Sequence, residues 1–222
     1  MYILYGGKFT RAVGPQMVLD EAGLPYELRS VDIVSGEHRE PEFRAINPAG
    51  YVPALVTPEG MVLHEAAAIM LYLADRHHLR DLVPDLHTQD RGVFYAKYFF
   101  LTNDIQPAMK RYYYPERYSS DPADAPRIKA QAFKMAMERW GVVERYLASN
   151  GPYHLGDRIS LADLYMSIWV AYGTEKPYNL LEDHPAIRTC YMAVRKRPRI
   201  KPLLAEIEDI IGEFKSDADL SE

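Results

Sequence analysis

Asn47-Pro48-Ala49-Gly50-Tyr51-Val52-Pro53-Ala54-Leu55 is the stretch that decides how this chain is read. An X-Pro bond in a tight turn is the setting in which a cis peptide occurs, and such a bond is usually a built feature. The proline also drives the residue before it toward extended geometry. Val52 then presents its N–H and C=O sideways, free to pair with a short extended ligand as an added strand does. Downstream, His64-Glu65-Ala66 opens an apolar helical stretch. Such an opening offers unpaired N–H groups and the positive end of the helix dipole, both of which favour an anion. The two segments together describe a site for a peptide-like ligand with a carboxylate at one end.

Working outward from that stretch, short apolar runs alternate with helical segments up to about residue 79. The patterns predict strands over 2–5 and 26–33 and a helix over 14–22, with Gly23 as its stop. A hairpin from 53–57 and 61–63 turns around Pro58-Glu59-Gly60, and a helix follows over 65–76. This order of β-α-β then β-β-α predicts a thioredoxin-like α/β domain over residues 1–80. The parallel connection needs a crossover, placed here in the segment 41–46. Residues 81–87, interrupted by Pro84, read as a linker. From 88 to 222 the period is helical throughout, which predicts an all-α C-terminal domain. Its helices are expected over 88–114, from Pro126 to 149, and over 160–171, 185–196 and 199–214, with an acidic, polar tail from 215 that frays. Ser160-Leu161-Ala162-Asp163 is a capping-box variant, a folding signal rather than a catalytic one.

Composition sets the outer bounds. The 222 residues suffice for one large core or two modest ones. A net charge of −5 with no basic block leaves no electrostatic footprint for nucleic acid. No apolar run approaches the ~20 residues that span a membrane. The N-terminus runs straight into a strand pattern without a charged region or cleavage site, so a cytoplasmic location is expected. Cys190 is the only cysteine, which precludes an internal disulfide.

Four segments carry a resemblance that covers nearly the whole chain. The first runs from Leu4-Tyr5-Gly6-Gly7 through Thr10-Arg11-Ala12 to Asp20-Glu21-Ala22-Gly23-Leu24-Pro25-Tyr26-Glu27. The second is the quoted stretch from Asn47 to Leu55. Leu63-His64-Glu65-Ala66 with Ala68-Ile69-Met70-Leu71-Tyr72-Leu73 is the third, and Gly156-Asp157-Arg158-Ile159-Ser160-Leu161-Ala162-Asp163-Leu164 the fourth. In this order and spacing the chain resembles the glutathione transferase family, of the bacterial-type cytosolic class with a serine or threonine loop. Glutathione also fits the ligand described above. The resemblance implies glutathione as co-substrate, no metal, a small electrophile as second substrate, a symmetric homodimer and a role in detoxification.

The chemistry would come from the loop after the first strand. A free thiol has a pKa of about 8.5, so little is ionised at neutral pH. A hydroxyl aimed at the sulfur near a helix N-terminus lowers that value. By the resemblance, the family's serine position falls on Thr10. The plainer reading of Thr10 is a helix cap. Tyr5, at the end of the first strand, is the rival for the hydroxyl role, against its use as core packing. Arg11 adds positive charge near the sulfur or pairs with a carboxylate, and Lys8 reads as a solvated loop residue. His38 and Arg39 lie in the segment that reaches the glycine end of glutathione in similar proteins. Val52 and Pro53 supply the backbone dock, and Glu65 accepts from the ligand's ammonium group. At the next position the family usually has serine, whereas this chain has Ala66, which removes one donor to the γ-glutamyl carboxylate. In the helical half, Phe99, Phe100, Asn103, Tyr112, Tyr113, Tyr114, Tyr118, Trp169 and Tyr172 suggest an aromatic or amphipathic co-substrate, with Asn103 and Tyr113 as contacts. Aromatics at helical spacing are also ordinary core material. Three functions follow from these residues: a transferase acting on a hydrophobic or aromatic electrophile, a glutathione-dependent isomerase or peroxidase, and a non-catalytic binding module. Thiol-disulfide exchange lacks a cysteine in the loop 6–12.

Overall fold

The computed structural model describes residues 1–7 and 10–219. Its contacts group into two compact units, Met1–Val83 with Arg195–Glu222, and Pro84–Val194. The division falls within the stretch read as a linker.

In the first unit, β1 (Tyr2–Gly6), β2 (Tyr26–Ser30), β3 (Ala54–Val56) and β4 (Val62–His64) form one sheet in the order β2-β1-β3-β4. Strand β1 runs parallel to β2 and antiparallel to β3, with Leu4 opposite Leu28 and Leu55. Helix α1 (Val13–Ala22) joins the two parallel strands, so it is the crossover. Segment 41–46, expected in that role, is instead α2 (Pro41–Ile46), between β2 and β3. A crossover belongs between parallel neighbours, and β2 and β3 are not neighbours. Strand β2 also ends at Ser30, short of the expected 33, and 31–36 turn toward a 3₁₀ turn at Glu37–Arg39.

Side-chain alternation along β1 builds two cores. Tyr2 and Leu4 are buried on the face that carries α1 and α3 (Ala66–Arg76), where Met17, Leu19, Ile69, Met70 and Leu73 are fully enclosed. Ile3 and Tyr5 point the other way. There Val31, Phe43, Val52 and Ala54 form a smaller cluster, joined by Tyr5, Ile33 and Ile46. Gly6 lets the loop after β1 close, because a Cβ at this position would lie 2.1 Å from the Ala12 Cβ. As expected, Gly23 ends α1 in the left-handed conformation, and its N–H and that of Leu24 bond the Asp20 and Leu19 carbonyls.

The C-terminal segment groups with this first unit. Helix α10 (Lys201–Asp219) extends beyond the expected end of helix at 214. Just before it, Arg197 pairs with Glu21 and Arg199 donates to the Asp20 carbonyl, which fastens the segment to the end of α1.

The second unit is helical. Helices α4 (Gln89–Phe100) and α5 (Gln106–Tyr113) are joined by a π-helical turn at Leu101–Ile105, inside what reads in sequence as one continuous helix. Helix α6 (Ala125–Asn150) and α7 (Leu161–Tyr172) follow, then α8 (Leu180–Asp183) and α9 (Pro185–Arg195). Every residue of α7 is buried, so it is the core helix of this unit. The capping box is present: the Ser160 hydroxyl accepts from the Ala162 N–H, and Asp163 accepts from the Ser160 N–H at 2.7 Å. Among the described residues no helix is long and apolar enough to cross a membrane.

Candidate functional site

The dock begins with Asn47. Its amide donates to the Tyr51 carbonyl at 2.6 Å and accepts from the Ala49 N–H at 3.1 Å. Gly50 takes a positive φ of 64°, and a Cβ there would meet the His38 carbonyl at 3.0 Å, so only glycine fits against the 3₁₀ turn. The Val52–Pro53 bond is cis. Among the described residues, neither the N–H nor the C=O of Val52 has a hydrogen-bond partner. Both groups sit two residues before the start of β3, in position to extend a ladder to an added strand.

The anion end is built by α3. Its opening residue, Glu65, holds φ 66° and ψ 115°, a region that L-residues with a side chain rarely occupy. The carboxylate makes no cap hydrogen bond to the helix and stays largely exposed. Arg11, mostly buried, brings its guanidinium to 3.6 Å from that carboxylate. This opening therefore combines a positive helix terminus, a cation and an anion within one small region, suited to a zwitterionic ligand end. Ala66 beside them is fully buried.

Thr10 is buried at the foot of the loop after β1. Its hydroxyl donates to the Gly7 carbonyl at 2.8 Å and accepts from the N–H groups of Ala12 and Gly7 at 3.2 and 3.3 Å. Tyr5 faces the α2 side, edge-on to Phe43, and its hydroxyl accepts from Arg29 at 2.8 Å. Arg29 is held in turn by Glu27. His38 is half-buried and Arg39 exposed on the 3₁₀ turn. Lys8 lies outside the described residues.

Asn103 and Tyr113 belong to the second unit. Asn103 is exposed on the π-helical turn, where its side-chain oxygen accepts from the Thr102 hydroxyl at 3.0 Å. The Tyr113 hydroxyl donates to the Tyr172 carbonyl at 2.7 Å. Tyr112, Tyr113, Phe133 and Tyr178 pack edge-on or tilted, with centroids 5.0–6.4 Å apart. Tyr178 is almost wholly enclosed, and burial raises its phenol well above the usual tyrosine value. Among the described residues no group of three or more His, Cys, Asp or Glu side chains could hold a metal.

Comparisons with known proteins agree with this architecture. Residues 12–76 match the family description "Glutathione S-transferase, N-terminal domain", and residues 103–206 match "Glutathione S-transferase, C-terminal domain". The chain belongs to the glutathione transferase family. Glutathione S-transferase 1 of Dianthus caryophyllus is 28% identical to it over 205 residues, covering 90% of each chain. The crystal structure of a glutathione transferase homologue from Sulfitobacter, with bound glutathione, is 26% identical, covers 91% of this chain and 96% of its own, and superposes with a TM-score of 0.84. That of a glutathione transferase from Methylococcus capsulatus is 29% identical, with coverages of 93% and 98% and a TM-score of 0.78.

In this member of the family the first unit draws the groups marked in the sequence into two clusters. One is Arg11 with Glu65 at the opening of α3. The other is the His38 carbonyl against the turn that leads to Val52 and Pro53. Tyr5 is turned to the opposite side of the sheet from α1 and α3. Reading residues singly missed Asn47, which ties the dock together. The Asn-Pro pair, a turn initiator, was the available signal. A second omission was His154, buried in the helical unit and bonded through Nδ1 to Asp163 at 2.8 Å.

Proposed function

We propose that this chain is a transferase that binds glutathione in its first unit and lowers the pKa of the thiol for attack on a hydrophobic or aromatic electrophile. The observation that carries the reading is the opening of α3, where Glu65 stands in a rare backbone conformation beside Arg11 while the Val52 backbone is unpaired. The γ-glutamyl carboxylate would lie on the N–H groups at the start of α3, its ammonium on Glu65, and the cysteinyl backbone on Val52. His38 and Arg39 would reach the glycine end. Thr10 is the hydroxyl assigned to the sulfur in this proposal, and membership of the serine/threonine-loop class is part of it. For that role the Thr10 proton must leave the Gly7 carbonyl for the thiolate, an exchange favoured by the charge on sulfur. Asn103, Tyr113 and the aromatics around them would take the electrophile. The relatives' names as transferases, and the glutathione bound in the Sulfitobacter homologue, support this reading. A cytoplasmic homodimer is part of the same proposal, since closed two-fold dimers are the commonest oligomers. Light scattering that returns a monomer mass at micromolar concentration would remove the dimer.

Two observations favour a second reading. Ala66 lacks a hydroxyl, and the Thr10 proton is already placed on Gly7, which fits a binding module without turnover. Retention on immobilised glutathione, followed by turnover with a reactive aromatic chloride, separates the two. A transferase is retained and turns over, a binding module is retained and silent, and a protein that is not retained contradicts both.

A further inference from the structure

A pocket of about 110 Å³, open to the surface beside the exposed Ala96 and Val142, lies on the helical unit and outside the residues assigned to glutathione. Phe100, Val142 and Val143 supply apolar wall, and Lys97, Tyr146 and His154 supply the polar groups. Lys97 places its Nζ 3.4 Å from the centre of the Tyr146 ring. Among the described residues it has no carboxylate and no hydrogen-bond acceptor. Its three N–H donors are therefore uncommitted to the protein, while burial lowers the ammonium below the ordinary lysine value. Lys97 is half-buried, and an anion or acceptor offsets the part of its hydration that is lost there.

His154 is held on the other side. Asp163 accepts from its Nδ1 at 2.8 Å and from its backbone N–H at 2.9 Å. An ionised carboxylate only accepts, so Nδ1 carries the proton and Nε2 is the ring nitrogen Asp163 does not hold. The Tyr146 hydroxyl is likewise committed, donating to the His154 carbonyl at 3.1 Å. The polar end of the cavity thus offers a cation with free donors and one imidazole nitrogen, against an aliphatic and aromatic wall.

We infer that this cavity is a binding site for a short-chain aliphatic carboxylate, with the carboxylate on Lys97 and the chain against Phe100, Val142 and Val143. Size limits the ligand, because an apolar cavity of about 150 Å³ holds benzene. A three- or four-carbon acid fits within the walled part of the pocket. The site is independent of glutathione binding, and its test does not use turnover.

Titration of ¹⁵N-labelled protein with sodium propionate, against sodium chloride at equal ionic strength, reads the site directly. Amide shifts at Lys97, Val143 and His154 should saturate with propionate and not with chloride. Lys97→Met keeps the stem and removes the charge. It should weaken propionate by about tenfold or more, the usual effect of losing a hydrogen bond to a charged partner. Propionamide, neutral and of the same shape, should be weaker than propionate by a similar factor. Ala96→Leu narrows the cavity with Lys97 intact, and should also abolish saturation, which keeps the test decisive if the lysine variant fails to fold. Shifts that do not saturate in the wild type, equal binding by either folded variant, or equal binding of propionamide would overturn the assignment.

Discussion

Thr10 concentrates three hydrogen bonds on one oxygen, and all three lie within its own loop. Replacing it by valine therefore has two effects. The loop loses these bonds and leaves buried polar groups unpaired, which costs about 1–3 kcal/mol of stability. Thiolate stabilisation is lost as well, and turnover with a reactive aromatic chloride should fall by about 10²–10³, the effect of one missing donor. Thr10→Ser restores the hydroxyl and should recover most of both. Turnover unchanged in the valine variant would move thiol activation to backbone N–H groups, since Tyr5 already accepts from Arg29 on the α2 side. Asp163 is the contrasting residue, wholly buried and structural. It accepts from the His154 ring and N–H, the Ser160 N–H and hydroxyl, and the Cys190 thiol at 3.3 Å. Burial alone pushes its carboxyl upward, but the His154 and Ser160 bonds outweigh it and leave the pKa below the usual carboxylate value. A depressed folded-state pKa gives stability that is present above the unfolded value, near 3.9, and lost as pH falls through the folded one. Asp163→Asn should thus cost about 3–5 kcal/mol at neutral pH and clearly less below about pH 4. Urea unfolding at both pH values checks this; an equal penalty at the two would mean that the charge contributes nothing.

At the scale of the element, α3 shows what sequence could and could not say. Its existence and span were legible from Glu65 onward, because the apolar period is strong. The backbone of Glu65 was not, because nothing but glycine normally signals a positive φ. Strain of this kind is worth about 1–3 kcal/mol and collects at functional sites. Glu65→Gly should raise the thermal midpoint by the relieved strain, less the entropy lost by a glycine, and weaken glutathione binding. Calorimetry and thermal melts on the same samples test both halves; a variant that is both less stable and equally tight would refute the link between strain and ligand. Ala66→Ser makes the complementary change. Because Ala66 is fully buried, the added hydroxyl destabilises the free protein unless it finds a partner. A carboxylate bound at this helix end is such a partner, so the variant should bind glutathione about tenfold tighter while melting lower without it. The π-helical turn at 101–105 was illegible for a different reason. It preserves helical periodicity on both sides and inserts no proline or glycine within itself.

Across the molecule, the pattern read most faithfully is the local one. The strand-helix order of the first unit, the hairpin around Pro58-Glu59-Gly60, the Gly23 stop and the Ser160 box each involve residues close in sequence, whose chemistry is visible in a line of text. The crossover was misplaced because it depends on which strands pair, a property of the sheet rather than of any segment. The last helix was read as part of the helical half for its period alone. Its attachment to α1 rests on Arg197 and Arg199, whose partners Glu21 and Asp20 stand far away in the chain, and surface arginines carry no sign of such a partner. The candidate site divides the same way. Val52, Pro53, Glu65 and Ala66 were marked by turn and helix-start chemistry, whereas the approach of Arg11 to Glu65 is a tertiary contact.

The central claim, that the α3 opening and the Val52 backbone form the glutathione site, is tested most directly by a crystal structure of the protein grown with glutathione. The account predicts the γ-glutamyl carboxylate on the N–H groups that open α3, its ammonium near Glu65, and paired hydrogen bonds between the cysteinyl backbone and Val52. Glutathione bound elsewhere, or a fully liganded crystal in which Val52 stays unpaired and the carboxylate lies away from α3, would contradict it.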